Sequence, residues 1–162
     1  MRTKIISAFP GMGKSTYHKM HPETTLDSDS SSFGWIVEDG EKKRNPDFPQ
    51  NYMNHIKENI GKYEYIFVSS HKVVRDALKD NCLFFYLVYP NYNRKEEFRT
   101  LYIHRGSSIS FCKMIMDNWD NWIDECVFEE IGCEKIMAYR KCKYLASVIT
   151  GISCREGGDR IE

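Results

Sequence analysis

At 162 residues the chain has room for one hydrophobic core rather than two, set against roughly 150 residues per domain. Hydrophobic residues make up 41% and aromatic residues 14%, which excludes a disordered chain despite 28% charged residues. Lysine plus arginine equals aspartate plus glutamate, 23 against 23, which excludes a global field that would coat the molecule onto a polyanion.

Lys4–Phe9 reads as a strand buried on both faces, followed by a Pro-Gly turn and a short helix from about Gly13 that Pro22 ends. Phe9-Pro10-Gly11 interrupts the apolar stretch that a signal peptide would continue, so a cytoplasmic location is expected. Thr24–Ser28 is expected as a second strand leading into a polar Ser-rich loop, and Asp39–Pro49 as a further loop. From Gln50 a helix should run to about Ile60, with Tyr52, Met53 and Ile56 at helical spacing. Tyr63–Ser69 is the third strand, Lys72–Lys79 a helix, and Leu83–Tyr89 a fourth strand stopped by Pro90. The longest apolar run, Cys82–Tyr89, is far short of the roughly 20 residues a membrane helix needs, so no membrane contact is expected.

The pattern then changes. Arg94–Arg105 reads as a charged helix and Ile109 to about Phe128 as one long amphipathic helix, together a helical excursion. A strand near Lys135–Ala138, a helix near Tyr144–Ile149 and a frayed Cys154–Glu162 tail complete the order. Alternating strands and helices predict an α/β fold: one domain over residues 1–162, a doubly wound five-stranded parallel sheet, and a lid region at about 91–128. The cysteines at 82, 112, 126, 133, 142 and 154 form no Cys-x-x-Cys pair and are expected to be reduced and mostly buried.

Between the first strand and first helix stands Ala8-Phe9-Pro10-Gly11-Met12-Gly13-Lys14-Ser15-Thr16. In such a loop glycines let successive N–H groups turn inward, the helix N-terminus adds positive potential, and a lysine reaches β- and γ-phosphates. Ser15 is the hydroxyl placed to hold Mg²⁺. Pro10–Thr16 resembles the phosphate-binding loop of nucleoside monophosphate kinases, shikimate and gluconate kinases, and polynucleotide kinases, although the strict pattern has Gly where this chain has Ala8. That resemblance implies a three-layer P-loop NTPase fold, ATP and Mg²⁺ as cofactors, and nucleotide contacts from Pro10, Gly11, Met12, Gly13, Lys14, Ser15 and Thr16.

Asp27-Ser28-Asp29 ends the predicted second strand, where a parallel sheet opens its crevice. It looks like the Asp-Ser-Asp motif of shikimate kinases and the site of the proposed base in polynucleotide kinases. One Asp would accept the proton of an attacking hydroxyl and the other order Mg²⁺ waters or substrate hydroxyls, the sequence leaving the assignment open. The bland alternative is an Asx turn capping the next segment. No acid ends the third strand, a departure from a standard Walker B motif that makes Asp27 or Asp29 the expected Mg²⁺ partner beside Ser15.

Ser69-Ser70-His71 with Arg75-Asp76-x-Leu78 is similar to the Ser-rich strand end and helix of gluconate kinases, which would turn Arg75 toward substrate or phosphates; otherwise Arg75 is a solvated residue paired with Asp76 or Asp80. His71 touches phosphate or is a satisfied structural histidine. Lys95–Gly106 resembles the lid of adenylate-kinase-like proteins, with Leu101 where many have another Arg. Arg94 and Arg105 lie eleven residues apart, about three turns, and should project from one face, with Arg99 pointing elsewhere; the alternative is a charged exposed helix. Asn51 could read a base or sugar, or simply open its helix beside a packing Tyr52. Lys42-Lys43-Arg44 reads as a solvated loop, with a polyanion contact as the other reading.

The chain is also similar to small phage-encoded ATP-binding proteins described as adenylate-kinase-like, which implies a viral source. The expected activity is transfer of the ATP γ-phosphoryl to a hydroxyl or phosphate of a nucleoside or nucleotide-like acceptor, with Lys14, Asp27, Asp29 and Arg105 as its catalytic residues. Competing expectations are a polynucleotide or modified-base hydroxyl kinase, disfavoured by zero net charge, and a nucleotide-binding regulator without turnover. Motif reading names neither the acceptor nor the oligomeric state.

Overall fold

Ile5, Ile6, Ser7 and Ala8 are buried at consecutive positions, so β1 (Lys4–Ala8) has no solvent face and must be covered by helices on both sides. The computed structural model describes residues 2–139 and 142–158. After β1 come α1 (Lys14–Met20), β2 (Thr25–Asp27), α2 (Ser31–Gly34), β3 (Trp35–Glu38), β4 (Glu41–Arg44) and α3 (Gln50–Asn59). Then follow β5 (Tyr65–Ser69), α4 (Lys72–Asp80), β6 (Phe85–Pro90), α5 (Lys95–His104), α6 (Ile109–Asp117), α7 (Trp119–Val127), β7 (Cys133–Ala138) and α8 (Leu145–Gly158).

The fold is α/β, with a five-stranded sheet in the order β2-β5-β1-β6-β7. Every pairing in that sheet is parallel, with Ile5 beside Ile66 on one flank of β1 and beside Phe85 on the other. From β1 the chain moves outward to β2, returns through β5, and crosses to β6 and β7. The crevice at the carboxyl ends of β1 and β5 is therefore a topological switch point, where open α/β sheets bind ligands. Helices α1 and α8 pack together, as do α3 and α4, while α7 lies against β6. No helix among the described residues is long and apolar enough to cross a membrane.

Several elements differ from expectation, each for a local reason. Asp39–Pro49 is not all loop: β3 and β4 form a separate antiparallel hairpin with Trp35 opposite Arg44. Its turn residues Asp39 and Gly40 have φ of +54° and +77°, the left-handed pair that two-residue hairpin turns require. The long helix expected over Ile109–Phe128 breaks at Asn118, whose Nδ2 donates to Met114 O at 2.8 Å and closes α6 before α7 begins. The helix expected to stop at Ile149 continues through Cys154 to Gly158, and the rest of the expected tail lies outside the described residues.

Of the six free thiols only Cys126 is buried, and Cys82, Cys142 and Cys154 are exposed, against the expectation that most would be interior. Cys82 occupies the turn after α4 at a φ of +55°, where no core position exists.

Candidate functional site

The glycine-rich loop leaves β1 anchored on both sides. Phe9 N donates to Val88 O at 2.9 Å, and Met12 O accepts from Leu145 N at 3.0 Å. Gly11 and Gly13 have φ of +86° and +97°, a conformation that side chains with a Cβ rarely adopt. A Cβ on Gly11 would also lie 3.0 Å from Tyr102 Cε1 and 3.1 Å from Leu101 Cδ2, so α5 sits directly on the loop. The Tyr102 hydroxyl fastens it there by donating to Pro10 O at 2.6 Å.

Gly13 is the N-cap of α1 and supplies no side chain, so the first-turn N–H groups have no side-chain cap. The Lys14 side chain folds back over the loop, with Nζ donating to Ala8 O at 2.8 Å. Burial pushes its pKa down to about 8, opposed by the nearby charges of Asp27 and Asp29 and reinforced by Arg105. Lys14, both aspartates and Arg105 therefore share one electrostatic neighbourhood at the loop.

Ser15 Oγ donates to Asp27 Oδ2 at 2.6 Å, joining the first turn of α1 to the end of β2. Two hard oxygen donors at the mouth of the glycine-rich loop are of the kind Mg²⁺ takes, since it binds one or two protein oxygens and fills its remaining positions with phosphate and water. Asp29 is held differently: its carboxylate accepts from Ser31 N at 2.9 Å and Ser31 Oγ at 2.8 Å, an Asx turn that opens α2. Between them Ser28 is buried; its carbonyl accepts from the Tyr52 hydroxyl at 2.6 Å, and its Oγ has no hydrogen-bond partner among the described residues. Burial raises the pKa of Tyr52, keeping that hydroxyl a donor.

The arginines separate. Arg105 is exposed at the end of α5, its Nε donating to Ser107 Oγ at 2.8 Å and its guanidinium 4.7 Å from the Tyr102 ring centroid. Arg94 does not project with it. At 4% exposure it is buried, with Nη1 donating to Ala138 O at 3.1 Å and Lys143 O at 2.7 Å, and Nη2 bonded to Glu97 Oε1 at 2.8 Å. The expected common face fails because α5 starts only at Lys95, after a 3₁₀ turn over Tyr92–Arg94 that redirects Arg94 inward. Arg99 is exposed and pairs with Glu96 at 3.2 Å, pointing away as expected.

Arg75 is neither solvated nor paired with Asp76 or Asp80. It is 2% exposed, its Nε donating to Glu129 Oε2 at 2.7 Å and its Nη1 to Ser70 O. It thus braces the Ser70–His71 segment from behind, while lining a cavity of about 180 Å³ with Pro10, His71 and Trp122. The Asn51 amide is engaged within the protein rather than turned wholly to a base or sugar: Nδ2 donates to Phe33 O at 3.0 Å and Oδ1 accepts from Tyr52 N at 2.8 Å. Its polarity is spent on holding α3 against α2.

A larger cavity of about 340 Å³ opens on the other side of His71 and Lys72, walled by Ser30, Gly34, Trp35, Arg44 and Phe48. Sequence reading missed Trp35 and Arg44 as wall residues, and the Asp39-Gly40 dipeptide was the signal that would have paired them across a hairpin. No protein-family model matches the chain, and no curated protein matches it either.

Proposed function

We propose that the chain is an ATP- and Mg²⁺-dependent phosphotransferase of the P-loop kinase type, moving the γ-phosphoryl group to a hydroxyl or phosphate of a nucleoside or nucleotide-like acceptor. The observation that carries the reading is the Ser15–Asp27 bond at 2.6 Å beside the folded-back Lys14. It supplies from β2 the carboxylate that the end of β5 lacks.

In this reading the first-turn N–H groups of α1 and the Lys14 ammonium hold the β- and γ-phosphates, Lys14 exchanging Ala8 O for phosphate oxygen. Ser15 and Asp27 would hold Mg²⁺, which when bound offsets charge on the phosphate oxygens. Asp29, exposed and with lone pairs left over from its turn, accepts the acceptor's proton. The acceptor oxygen forms its bond to the γ-phosphorus as the bond to the β-bridging oxygen breaks and ADP leaves. Arg105 stabilises charge on the equatorial oxygens.

A polynucleotide or modified-base hydroxyl is the second reading of the acceptor, favoured by the exposed Lys42, Lys43 and Arg44 along β4 next to the larger cavity. γ-Labelled ATP offered with nucleosides, nucleotides, sugars and single-stranded DNA tests both. Label should pass to a nucleoside, nucleotide or strand with the wild-type chain and not with Lys14→Ala. ATP binding without transfer to any acceptor would replace the kinase reading by a nucleotide-gated binder.

A further inference from the structure

We infer that the Tyr52 hydroxyl on α3 is a positioning group for the Ser15 and Asp27 pair: it clamps the end of β2 where β2 and β5 part, and so sets the direction of the Asp27 and Asp29 carboxylates. The inference rests on the phosphotransferase reading through its Mg²⁺ site alone. It adds a residue that touches neither nucleotide nor metal.

The clamp closes the sheet at the mouth of the crevice. Ser28 N donates to Phe67 O at 2.9 Å, carrying the β2–β5 ladder one residue past β2. The next acceptor along the chain, Ser28 O, takes the Tyr52 hydroxyl at 2.6 Å. The Ser69 backbone bonds to the same phenol oxygen, and with Ser28 it works against the rise that burial imposes on the Tyr52 pKa. Ser69 is itself tied on two sides. Its carbonyl accepts from Ser7 Oγ at 3.0 Å, and its Oγ donates to Ser30 Oγ at 3.0 Å. The ends of β1 and β5 and the run from Asp27 to Ser30 therefore meet around one phenol.

That arrangement aims the carboxylates. Ser28 and Ser30 are buried, whereas Asp27 is half-buried and Asp29 exposed. Side chains alternate along extended chain, so holding Ser28 inward turns its two acidic neighbours outward. Asp27 there meets Ser15 Oγ at 2.6 Å, and both carboxylates act on the Lys14 ammonium. A strand end released from Tyr52 is free to rotate and draw Asp27 off Ser15.

The phenol is a fixed point because its ring and its helix are held without the hydroxyl. Tyr52 is fully buried, its ring centroid 5.0 Å from that of Phe33 and 6.2 Å from that of Phe48. Asn51 bonds the start of α3 to Phe33 O. Phenylalanine at position 52 keeps this packing and removes the clamp.

Nucleotide binding tests the clamp without turnover. Adenylyl imidodiphosphate is titrated by calorimetry into the wild-type chain and Tyr52→Phe, once in saturating Mg²⁺ and once in EDTA. The ratio of the two affinities measures what the protein gains from the metal. Tyr52→Phe should cut that gain by roughly 10-fold or more, the scale seen when a group that orients a metal ligand is lost, with metal-free affinity held within about twofold. A cut of less than about fivefold, or a matching fall in both affinities, overturns the clamp, since general loosening of the core weakens both alike. Should Tyr52→Phe lack a cooperative urea melt, Ser30→Ala, which opens the clamp at its Ser69 end, is judged by the same limits. A wild-type chain indifferent to Mg²⁺ removes the metal pair and overturns the clamp with it. Transfer is scored separately: a Mg²⁺ gain in the wild type without label passing to any acceptor defeats the phosphotransferase reading, and the affinity ratio still decides the clamp.

Discussion

In the proposed reading Lys14 would exchange Ala8 O for a phosphate oxygen. Its ammonium donates to Ala8 O, its one hydrogen-bond partner among the described residues, and burial holds its pKa down to about 8. A bound triphosphate favours the charged form, so binding should draw in a proton near that pH, and nucleotide affinity should fall as pH rises through about 8. Calorimetry in buffers of different ionisation heat reads the proton uptake directly; identical heats would show that Lys14 is already fully charged. Glu97 behaves oppositely. Its bonds to Arg94, helped by Tyr144, hold its pKa down to about 2 from an ordinary 4.5, although burial pulls the other way. The stability this contributes is complete above pH 4.5 and is lost as pH falls toward 2. Glu97→Gln should therefore flatten the acid limb of a stability-versus-pH curve across that window while leaving its slope near neutrality unchanged, as urea melts at several pH values would record.

Elements built from neighbours in sequence were legible, and those built from distant partners were not. β1, its loop and α1 follow from an apolar run, two glycines and a helix start within seventeen residues, Lys4–Met20. The same local logic exposes the Asp39-Gly40 turn, although charge and two prolines nearby make the segment look like loop. Arg75 and Arg94 carry no such local sign, because Glu129 lies 54 residues from Arg75 and the Ala138 and Lys143 carbonyls lie 44 and 49 from Arg94. Only the folded packing turns two apparent ligand contacts into braces. The seat of α5 on the loop is equally nonlocal and gives a sharp test at Gly11. An alanine there combines a left-handed backbone with a Cβ pressed on Tyr102, Leu101 and Phe98. Gly11→Ala should lower unfolding free energy by about 2–4 kcal/mol, summing backbone strain and overpacking. A urea-melt loss under about 0.5 kcal/mol would mean that α5 separates readily from the loop.

Across the whole molecule, that seat decides how much of the lid region can move. Phe9, Phe98 and Trp119 form one aromatic cluster, with Phe9 5.5 Å and Phe98 5.3 Å from Trp119 between ring centroids, so loop, α5 and α7 share a core. Phe98 and Tyr102 are fully buried on α5, and Arg94 ties its start to the end of β7 and the segment after it. Swinging α5 as a unit would expose that cluster, whereas the residues after Tyr102, from Ile103 to Gly106, are exposed. Gly106, at a φ of +78°, lets the chain turn directly after Arg105. Arg105 also stands near enough to Lys14 for its charge to lower the Lys14 pKa. In the proposed phosphotransfer the cation for the transferring group would thus come from one short segment rather than from a closing helix. Arg105→Ala should depress kcat by a factor of about 10² or more, the scale seen when one preorganised charge-stabilising donor is removed. ATP affinity should change far less if, as proposed, α1 and Lys14 hold the ground-state phosphates. In a nucleotide-gated binder the same substitution has no turnover to remove and would alter only closure or partner affinity. Single-turnover transfer and ATP Kd measured together on Arg105→Ala decide the matter: equal losses in both, or no change in either, would remove Arg105 from the reacting centre.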